Sequence, residues 1–387
     1  MYNVLTLNKI AACGTDLFDK TRYAFAEDMA DPVAILVRSA SMHEMELPAN
    51  LLAIARAGAG TNNIPIDKCS EKGIVVFNTP GANANAVKEL VIAGLLMASR
   101  KIPASFEWIK TLKGKGDEVG KLVEKGKSQF AGPEIMGKKL GVIGLGAIGI
   151  LVANAAAKLG MEVYGADPFL SVENALKLDG SVHYVKSNKE IFEKCDYITL
   201  HVPLMADTKG MINAEAIASM KKNVRLLNFS RDGLVEEKAI LDALASGGMA
   251  CYVTDFATDG LLGVDGVVAM PHLGASTPES EDNCAVMAVK EIIDYIDNGN
   301  ITNSVNLPNV SMNISGNAKI CVIHKNAEGV INSLTAPVSA AGLNIENMIS
   351  KSKKDYAYTC LDVKGDATGI EAKLKEVANV ISVRVIK

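Results

Sequence analysis

The chain has 387 residues, which predicts two or three domains with large cores. Hydrophobic residues make up 49% and charged residues 22%, so the composition excludes a mostly disordered chain. The net charge of -4, without a strongly basic block, excludes the electrostatic pattern of a nucleic-acid-binding protein. The seven cysteines show no CxxC spacing, so neither a disulfide framework nor a metal site is expected. The first residues lack a secretion-signal pattern, and we expect a cytoplasmic protein.

The first ninety residues alternate short apolar runs with amphipathic stretches. The sequence predicts three buried strands, over 32–37, 51–55 and 73–78. A long apolar helix is predicted over 84–100. This alternation predicts a parallel sheet covered by helices, with functional loops beyond the carboxyl ends of the strands. The polar residues at those ends are Arg38, Arg56 and Asn78.

A second α/β region follows a polar stretch at 113–132, which we interpret as a loop or surface segment. Its predicted strands cover 139–143, 161–166, 197–201, 224–228, 250–254 and 267–270, and its helices cover 147–159 and 278–298. The uncharged run 140–157 is long enough for a membrane span. Four glycines in its first half favour a buried strand, a tight turn and a helix instead.

The last part of the chain changes in character. Residues 300–316 are rich in Asn, Ser and Pro, which is typical of a linker. The pattern over 319–386 is strand, helix, strand, strand, helix, strand, the order of a ferredoxin-like fold. We expect a separate small domain.

A glycine-rich turn indicates a dinucleotide site. Gly144, Gly146 and Gly149 form GxGxxG between a predicted strand and a predicted helix. The first glycine allows the tight turn, the second allows close approach of a diphosphate, and the third allows close packing of helix and strand. Asp167 ends the next strand and can accept hydrogen bonds from ribose hydroxyls. Its charge would repel a 2′-phosphate, which favours NAD over NADP. The alternative is a packing turn with a solvated aspartate.

Three residues at strand ends suit the oxidation of a 2-hydroxy acid. His272 follows a predicted strand and could exchange the hydroxyl proton during hydride transfer. Arg231 could bind the substrate carboxylate through its planar guanidinium. Asp259 is the candidate acid that orients the histidine, and a solvated turn residue is its alternative reading.

With these motifs in hand, the chain resembles the D-isomer-specific 2-hydroxyacid dehydrogenases. The matching pieces are VRSAS (37–41), RAGAG (56–60), NTP (78–80), GLGAIG (144–149), HVP (201–203), NFSRDG (228–233) and PHLGAST (271–277). The resemblance implies two Rossmann-like doubly wound parallel-sheet domains with a cleft between them, and a C-terminal ferredoxin-like α+β domain of the ACT type. The implied boundaries are 1–92 with 276–308 for the substrate-binding domain, 93–275 for the NAD-binding domain, 309–317 for the linker and 318–387 for the ACT domain.

The resemblance also implies roles for individual residues. His272 would be the general acid/base, Arg231 would bind carboxylate and carbonyl, and Asp259 stands where the family has a glutamate in a loop one residue longer. The implied NAD contacts are Gly144, Gly146, Ala147, Ile148, Gly149, Asp167, His201, Val202, Pro203, Phe229, Ser230, Asp255, Gly274 and Ala275. The implied substrate contacts are Arg38, Ser39, Arg56, Gly58, Asn78 and Lys127.

The implied activity is NAD-dependent oxidation of 3-phosphoglycerate, the entry step to L-serine, by a homodimer or homotetramer. His324, Asn326 and Asn344 match the ACT pieces that contact inhibitor serine across a domain pair, although Ala327-Glu328-Gly329 replaces the usual proline before glycine. Two alternatives stay open. One is a dehydrogenase for glyoxylate, hydroxypyruvate or a D-lactate-like acid, and the other is a non-catalytic, NAD-gated protein-binding module.

Overall fold

The computed structural model describes residues 1–387, which divide into two compact units. The first unit comprises residues 1–83 and 278–387, and the second comprises residues 84–277. The sequence places these boundaries at 92/93 and 275/276 instead. The observed boundary precedes a continuous helix that starts at Ala84, and this helix packs as a whole within the second unit.

A five-stranded parallel sheet is built by the first 83 residues. Its elements are β1 (Tyr2–Leu7), α1 (Ala12–Thr15), β2 (Tyr23–Ala26), β3 (Ala34–Val37), β4 (Ala53–Arg56), α2 (Ile66–Glu71) and β5 (Val75–Phe77). The strand order is β2-β1-β3-β4-β5. Every residue of β3 and β5 is buried, as expected for parallel strands covered on both faces. Arg38 and Asn78 directly follow these two strands, and Arg56 ends β4.

The second unit contains a seven-stranded parallel sheet. Its elements are α3 (Ala84–Arg100), α4 (Ile102–Lys110), α5 (Val119–Gly126), β6 (Lys139–Ile143), α6 (Ala147–Lys158), β7 (Glu162–Ala166), α7 (Val172–Lys177), β8 (His183–Tyr184), α8 (Asn188–Lys194), β9 (Tyr197–Leu200), α9 (Ala214–Ala218), β10 (Val224–Asn228), α10 (Glu237–Ala245), β11 (Met249–Thr254) and β12 (Val267–Ala269). The strand order is β12-β11-β10-β9-β6-β7-β8. The order reverses at β6, so the crevice beyond β6 and β9 is where such sheets bind ligands.

The polar stretch at 113–132 differs from its predicted form. It lies largely on the surface as expected, but it is helical rather than a loop. It consists of a 3₁₀ turn at Gly116–Glu118, helix α5, and a second 3₁₀ turn at Lys127–Phe130. The rings of Trp108 and Phe130 lie 5.3 Å apart, and α5 is amphipathic although none of its residues is buried.

The remaining residues of the first unit form one long helix and a four-stranded antiparallel sheet. The elements are α11 (Pro278–Asn298), β13 (Ala318–Lys325), α12 (Val330–Ala340), β14 (Asn344–Lys353), β15 (Tyr356–Lys364), α13 (Ile370–Lys375) and β16 (Val380–Ile386). The strand order is β14-β15-β13-β16. The predicted ferredoxin-like arrangement is confirmed, whereas its identity as an ACT domain stays a prediction.

A buried lysine and a half-buried arginine connect this antiparallel sheet to the end of α11. Lys319 is fully buried, and its ammonium group donates hydrogen bonds of 2.7–2.8 Å to Asn298 O, Asn300 Oδ1 and Met312 O. Arg384 donates to the carbonyl oxygens of Tyr295 and Ile296 at 3.1 and 2.7 Å. Carbonyl groups at a helix C-terminus carry partial negative charge, so both contacts are favourable. The antiparallel sheet is therefore attached to α11 within the first unit.

None of the helices combines the length and the apolar character that crossing a bilayer requires. No cluster of three or more His, Cys, Asp and Glu side chains is arranged to hold a metal ion.

Candidate active site

The glycine turn joins β6 to α6 and shows a different environment at each glycine. Gly144 has φ +94°, and a Cβ there would overlap the carbonyl group of His201. A Cβ at Gly149 would overlap the carbonyl oxygen of Gly144. A Cβ at Gly146 would have no atom within 4 Å. The first and third glycines are thus required by packing, while the second leaves open space at the N-terminus of α6, beside Ala147 and Ile148. That space suits a diphosphate.

Asp167 is held against this turn. Its Oδ2 accepts a hydrogen bond of 2.8 Å from the backbone N–H of Leu145, and its Oδ1 accepts one of 2.8 Å from Phe169. These bonds fix the carboxylate next to the first residues of the glycine turn and leave other lone pairs available. The geometry fits acceptance from ribose hydroxyls, as the sequence predicts for NAD.

His201 follows β9 and faces inward. Its Nε2 lies 3.0 Å from Thr199 Oγ1, while its buried Nδ1 has no partner. Burial lowers the pKa of His201 to about 3, so the ring is neutral at physiological pH. The following Val202 accepts a hydrogen bond of 2.6 Å from Ser230 Oγ. The loops after β9 and β10 are therefore tied together, and Pro203 continues the first of them.

Arg231 lies on the loop after β10 with its side chain exposed and forms no ion pair. Its backbone carbonyl accepts a hydrogen bond of 2.9 Å from Asn228 Nδ2, while its Nη1 donates to the carbonyl oxygen of Ser230 at 2.6 Å. Phe229, between these residues, is buried. Asn228 is a positioning residue that the sequence does not single out, because its role depends on the fold of the loop.

His272 and Asp255 meet at the ends of β11 and β12. The backbone N–H of His272 donates to Asp255 O at 3.0 Å, and the exposed imidazole lies edge-on to Phe256 with ring centres 5.1 Å apart. Asp255 is 2% exposed. Its Oδ2 accepts from Gly274 N–H at 3.1 Å, next to Ala275, while its buried Oδ1 has no partner. Burial raises the pKa of Asp255, and the nearby His272 partly offsets that effect.

These side chains border a pocket of about 310 Å³. It is lined by Asp232, Asp255, Phe256, Ala257, Thr258, Pro271 and His272. The unpartnered oxygen of Asp255 and the exposed ring of His272 give the pocket hydrogen-bonding groups for a polar ligand. Such a pocket at the carboxyl ends of parallel strands is where this type of sheet binds its ligands.

Asp259 does not join this arrangement. It is exposed in a turn, and no hydrogen bond or ion pair connects it to His272. The neighbouring Thr258 donates to Glu237 Oε2 at 2.5 Å, which directs this short loop toward α10. The structure thus brings Asp255, rather than Asp259, to the histidine.

The predicted substrate residues of the first unit surround the ends of β3 and β4. Arg38 pairs with Glu281 of α11, and both side chains are roughly half-exposed. Arg56 donates from Nε to Arg38 O at 2.9 Å and from Nη1 to Gly60 O, which shapes the loop that contains Gly58. Sequence reasoning missed Glu281, because the residues of this pair are 243 positions apart.

The other predicted substrate residues have structural partners. Asn78 Nδ2 donates to Ala59 O at 2.6 Å, and the backbone N–H of Ser39 donates to Asn8 Oδ1 at 2.9 Å. Lys127 lies in the second unit, is exposed and pairs with Glu124. Arg38 and Arg56 therefore lie together in the first unit, and Lys127 is a residue of the second unit.

The predicted effector residues occupy two ends of the antiparallel sheet. His324 is 3% exposed, with Nε2 2.9 Å from Thr359 Oγ1 and Nδ1 2.7 Å from Lys325 O. Burial lowers its pKa. Asn326 is exposed near it, and its Nδ2 donates to Lys354 O at 3.1 Å. Asn344 is also exposed, but it pairs with the far end of β15, opposite Lys364. One chain does not bring the three together.

The chain is similar in sequence to a known protein family and to named proteins. Residues 92–274 match the family model described as "D-isomer specific 2-hydroxyacid dehydrogenase, NAD binding domain". The chain is 32% identical over 355 residues to D-3-phosphoglycerate dehydrogenase of Haemophilus influenzae, covering 88% of this chain and 83% of that protein. It is 34% identical to the Bacillus subtilis protein of that name, but covers 61% of that protein.

The fold has solved relatives as well. The NAD⁺-bound 3-phosphoglycerate dehydrogenase of Entamoeba histolytica superposes with a TM-score of 0.62 and 27% identity, over 79% of this chain and 98% of that chain. A glyoxylate reductase structure, 24% identical with a TM-score of 0.66, shows the likeness of fold alone.

Proposed function

The chain belongs to the D-isomer specific 2-hydroxyacid dehydrogenases, and on that premise we propose that it oxidises 3-phospho-D-glycerate to 3-phosphohydroxypyruvate. It is an NAD-dependent dehydrogenase. The observation that carries the substrate proposal is the run of relatives with this activity in their names, at 32–34% identity over most of the chain. The exposed His272 and Arg231, on loops of the NAD-binding unit, supply the groups that this reaction needs.

The residues of the second unit fit NAD. The open space at Gly146 would hold the diphosphate, Asp167 would accept from the adenosine ribose, and the unpartnered Asp255 Oδ1 would accept from a donor at the nicotinamide end. NAD bound there would supply the hydride acceptor for oxidation at C2 of the substrate. Thus the buried polar atoms without partners gain hydrogen bonds in the complex.

His272 and Arg231 would act directly on the substrate. The imidazole of His272 accepts the proton of the C2 hydroxyl group as the hydride leaves. Arg231 binds the carboxylate with its exposed guanidinium group, and its position depends on the bond from Asn228. Asp259 remains the candidate orienting acid from the resemblance, and Asp255 is a second candidate because its carboxylate lies near enough to His272 for the two charges to interact, although the hydrogen bond between the two residues joins backbone groups.

The phosphate group of the substrate would bind to basic residues. Arg38 and Arg56 would bind it, with Ser39, Gly58 and Asn78 shaping their loops and Lys127 as a further cation. Binding at Arg38 would compete with Glu281 for the same guanidinium group.

The proposed regulation and assembly involve the C-terminal sheet. L-serine would bind the C-terminal sheet through His324, Asn326 and Asn344, contributed by paired copies in a homodimer or homotetramer. A cytoplasmic location is consistent with the seven free thiols.

The decisive experiment measures NADH formation from 3-phosphoglycerate and NADH consumption with 3-phosphohydroxypyruvate, each with and without millimolar L-serine. We expect turnover on both substrates, suppressed by serine. Activity without suppression would retain the substrate and remove serine as effector. Activity on glyoxylate or hydroxypyruvate alone would assign the chain to the alternative dehydrogenases, and NAD binding without any turnover would indicate a binding module.

Arg231→Ala tests the carboxylate contact within the same assay. Loss of a charge-assisted hydrogen-bonding partner, worth about 1.5–3 kcal/mol, lowers kcat/KM by about 10- to 100-fold. Lys186→Ala, a change of an exposed cation in the same unit, serves as the control and should retain full turnover. Undiminished kcat/KM in the Arg231 variant would contradict the proposed role.

A further inference from the structure

Two cysteines face each other across neighbouring strands of the antiparallel sheet. Cys321 on β13 pairs in register with Cys360 on β15, and their sulfur atoms lie 3.9 Å apart. Directly opposed residues of antiparallel strands have Cα atoms about 4.5–5.5 Å apart. This range lies within that of disulfide-bonded cysteines, about 4.4–6.8 Å. The backbone therefore already has the spacing of a cross-strand disulfide.

The surroundings of the pair are unusually positive for a protein interior. Lys319, on the same face of β13, is buried and Arg384 of β16 is half-buried, and neither forms a salt bridge with a carboxylate. Asp362, the register partner of Lys319, binds Ser315, Gly316 and Asn347 instead. Two cations without a paired anion stabilise a negative charge at the sulfur atoms.

The two thiols are not equivalent. The hydrogen bond from Cys360, together with Tyr358 and the two cations, lowers the pKa of Cys321 to about 7. The same contact raises the pKa of Cys360. Both thiols are buried, but Cys321 is 3% exposed and Cys360 is 0% exposed. Cys321 is therefore the thiol that a peroxide reaches first, and Cys360, whose sulfur lies 3.9 Å away, is placed to resolve an oxidised Cys321.

The other cysteines lack this arrangement. Cys69, Cys195, Cys251 and Cys284 are buried, and burial raises the pKa of each. Cys13 is exposed. None of these five lies within hydrogen-bonding distance of another thiol. The pair on β13 and β15 is thus a distinct feature, and dinucleotide binding and hydride transfer do not use it.

We propose that Cys321 and Cys360 form a redox modification site that closes to a reversible disulfide on reaction with a peroxide. The Cys321 thiolate attacks one oxygen of the peroxide, which leaves a sulfenic acid on Cys321 and releases hydroxide. The sulfur of Cys360 then attacks Cys321, the S–S bond forms, and the hydroxyl group leaves as water with the remaining proton. Overall, two thiols are oxidised to one disulfide and one hydrogen peroxide is reduced to two waters.

A disulfide between Cys321 and Cys360 would join β13 and β15, the two central strands of the antiparallel sheet. The bond encloses the segment from 321 to 360, so it restricts the unfolded chain and should raise the urea midpoint of the first unit. A dithiol reductant should reverse the change. This proposal is independent of the substrate assignment above.

The test uses the full chain, treated with hydrogen peroxide and then alkylated with iodoacetamide in denaturant. We expect two alkylatable thiols to be lost, a non-reduced peptide that joins Cys321 to Cys360, and recovery of both thiols with dithiothreitol. Cys321→Ser and Cys360→Ser should each abolish that peptide. Cys69→Ser, which changes a buried cysteine without a thiol partner, should retain it.

The wild-type peptide map decides the proposal even where a serine variant folds poorly. Oxidation of the exposed Cys13 in the same sample shows that the peroxide has acted. The proposal is overturned if Cys13 is oxidised while Cys321 and Cys360 are both fully alkylated. It is also overturned if the recovered disulfides join other cysteines.

Discussion

Glu291 of α11 is a carboxyl group removed from water without a charged partner. It is 8% exposed, its Oε1 accepts a hydrogen bond of 2.7 Å from Asn303, and its Oε2 has no partner. Burial raises its pKa from 4.5 to about 8. Between these two pH values the folded chain holds a proton that the unfolded chain has released. Stability contributed by this site is therefore greatest at low pH and falls as the pH rises toward 8.

We expect Glu291→Gln to remove this pH dependence, because the amide can still accept from Asn303 and carries no charge to desolvate. One pKa unit corresponds to about 1.4 kcal/mol, so the variant should exceed the wild type in stability by a few kcal/mol at alkaline pH and match it near pH 4. Thermal unfolding from pH 4 to 9 measures this. Glu279→Gln, on an exposed position of the same helix, should follow the wild-type curve. A parallel curve for Glu291→Gln would contradict the assignment.

At the scale of residues, the sequence can predict a site where a local motif fixes the spacing of its members. Gly144 and Asp167 could be identified because strand, turn and helix fix their spacing. The contact between Arg38 and Glu281 could not, since only the tertiary fold brings them together. Asp255 contacts His272, whereas Asp259 does not, because the short loop after β11 turns toward Glu237.

Among the elements, the glycine turn before α6 offers a variant whose effect on NAD binding can be measured apart from its effect on folding. Gly146→Ala adds a methyl group to open space, so the Tm without NAD should stay unchanged. The same methyl group would occupy the place proposed for the diphosphate. Loss of one charge-assisted contact there should weaken NAD binding by about 10- to 100-fold. Fluorescence titration with NADH measures the affinity.

Two further glycine variants control this experiment. Gly120→Ala, on α5, also meets open space and should leave NADH affinity unchanged, while the better helix former raises the Tm slightly. Gly149→Ala would overlap the carbonyl oxygen of Gly144 and should lower the Tm. Wild-type NADH affinity in Gly146→Ala would place the diphosphate elsewhere.

The bounds of strongly patterned elements followed from sequence. Helices α3 and α11 and strands β6 and β10 coincide with their predictions. Helix α5 was not predicted, because its short amphipathic pattern lies within a longer stretch rich in lysine and glycine and none of its residues is buried. Local patterns thus predict elements that bury a continuous face, and miss a short helix on the surface.

At the scale of the molecule, the C-terminal sheet shares a core with the first parallel sheet. Cys321, Ile323, Tyr358 and Cys360 belong to the same buried cluster as residues of β1, β3 and β4. The linker composition predicts a separate domain, but it does not reveal this shared core. A fully buried lysine such as Lys319 is rare, so its docking role could not be expected from sequence.

Removal of residues 318–387 should therefore destabilise the first unit rather than release an independent module. The truncated chain exposes apolar surface and leaves the carbonyl groups at the end of α11 without their cations. We expect a lower Tm and aggregation, measured by calorimetry and sedimentation, whereas removal of Lys387 alone should change neither. A soluble 1–317 chain with the wild-type Tm would contradict the shared core.

The register of the antiparallel sheet places two of the proposed serine contacts, His324 and Asn344, far apart in one copy of the chain. His324 pairs opposite Ala357, and Asn344 opposite Lys364. Seven residues of extended strand separate these positions, roughly 23 Å. If L-serine contacts both residues, as proposed above, one copy cannot supply them together, so its binding would be coupled to the pairing of two copies. Mass action would then make the inhibitory dose fall as the enzyme becomes more abundant, and flux would be restrained most in cells that hold the most enzyme.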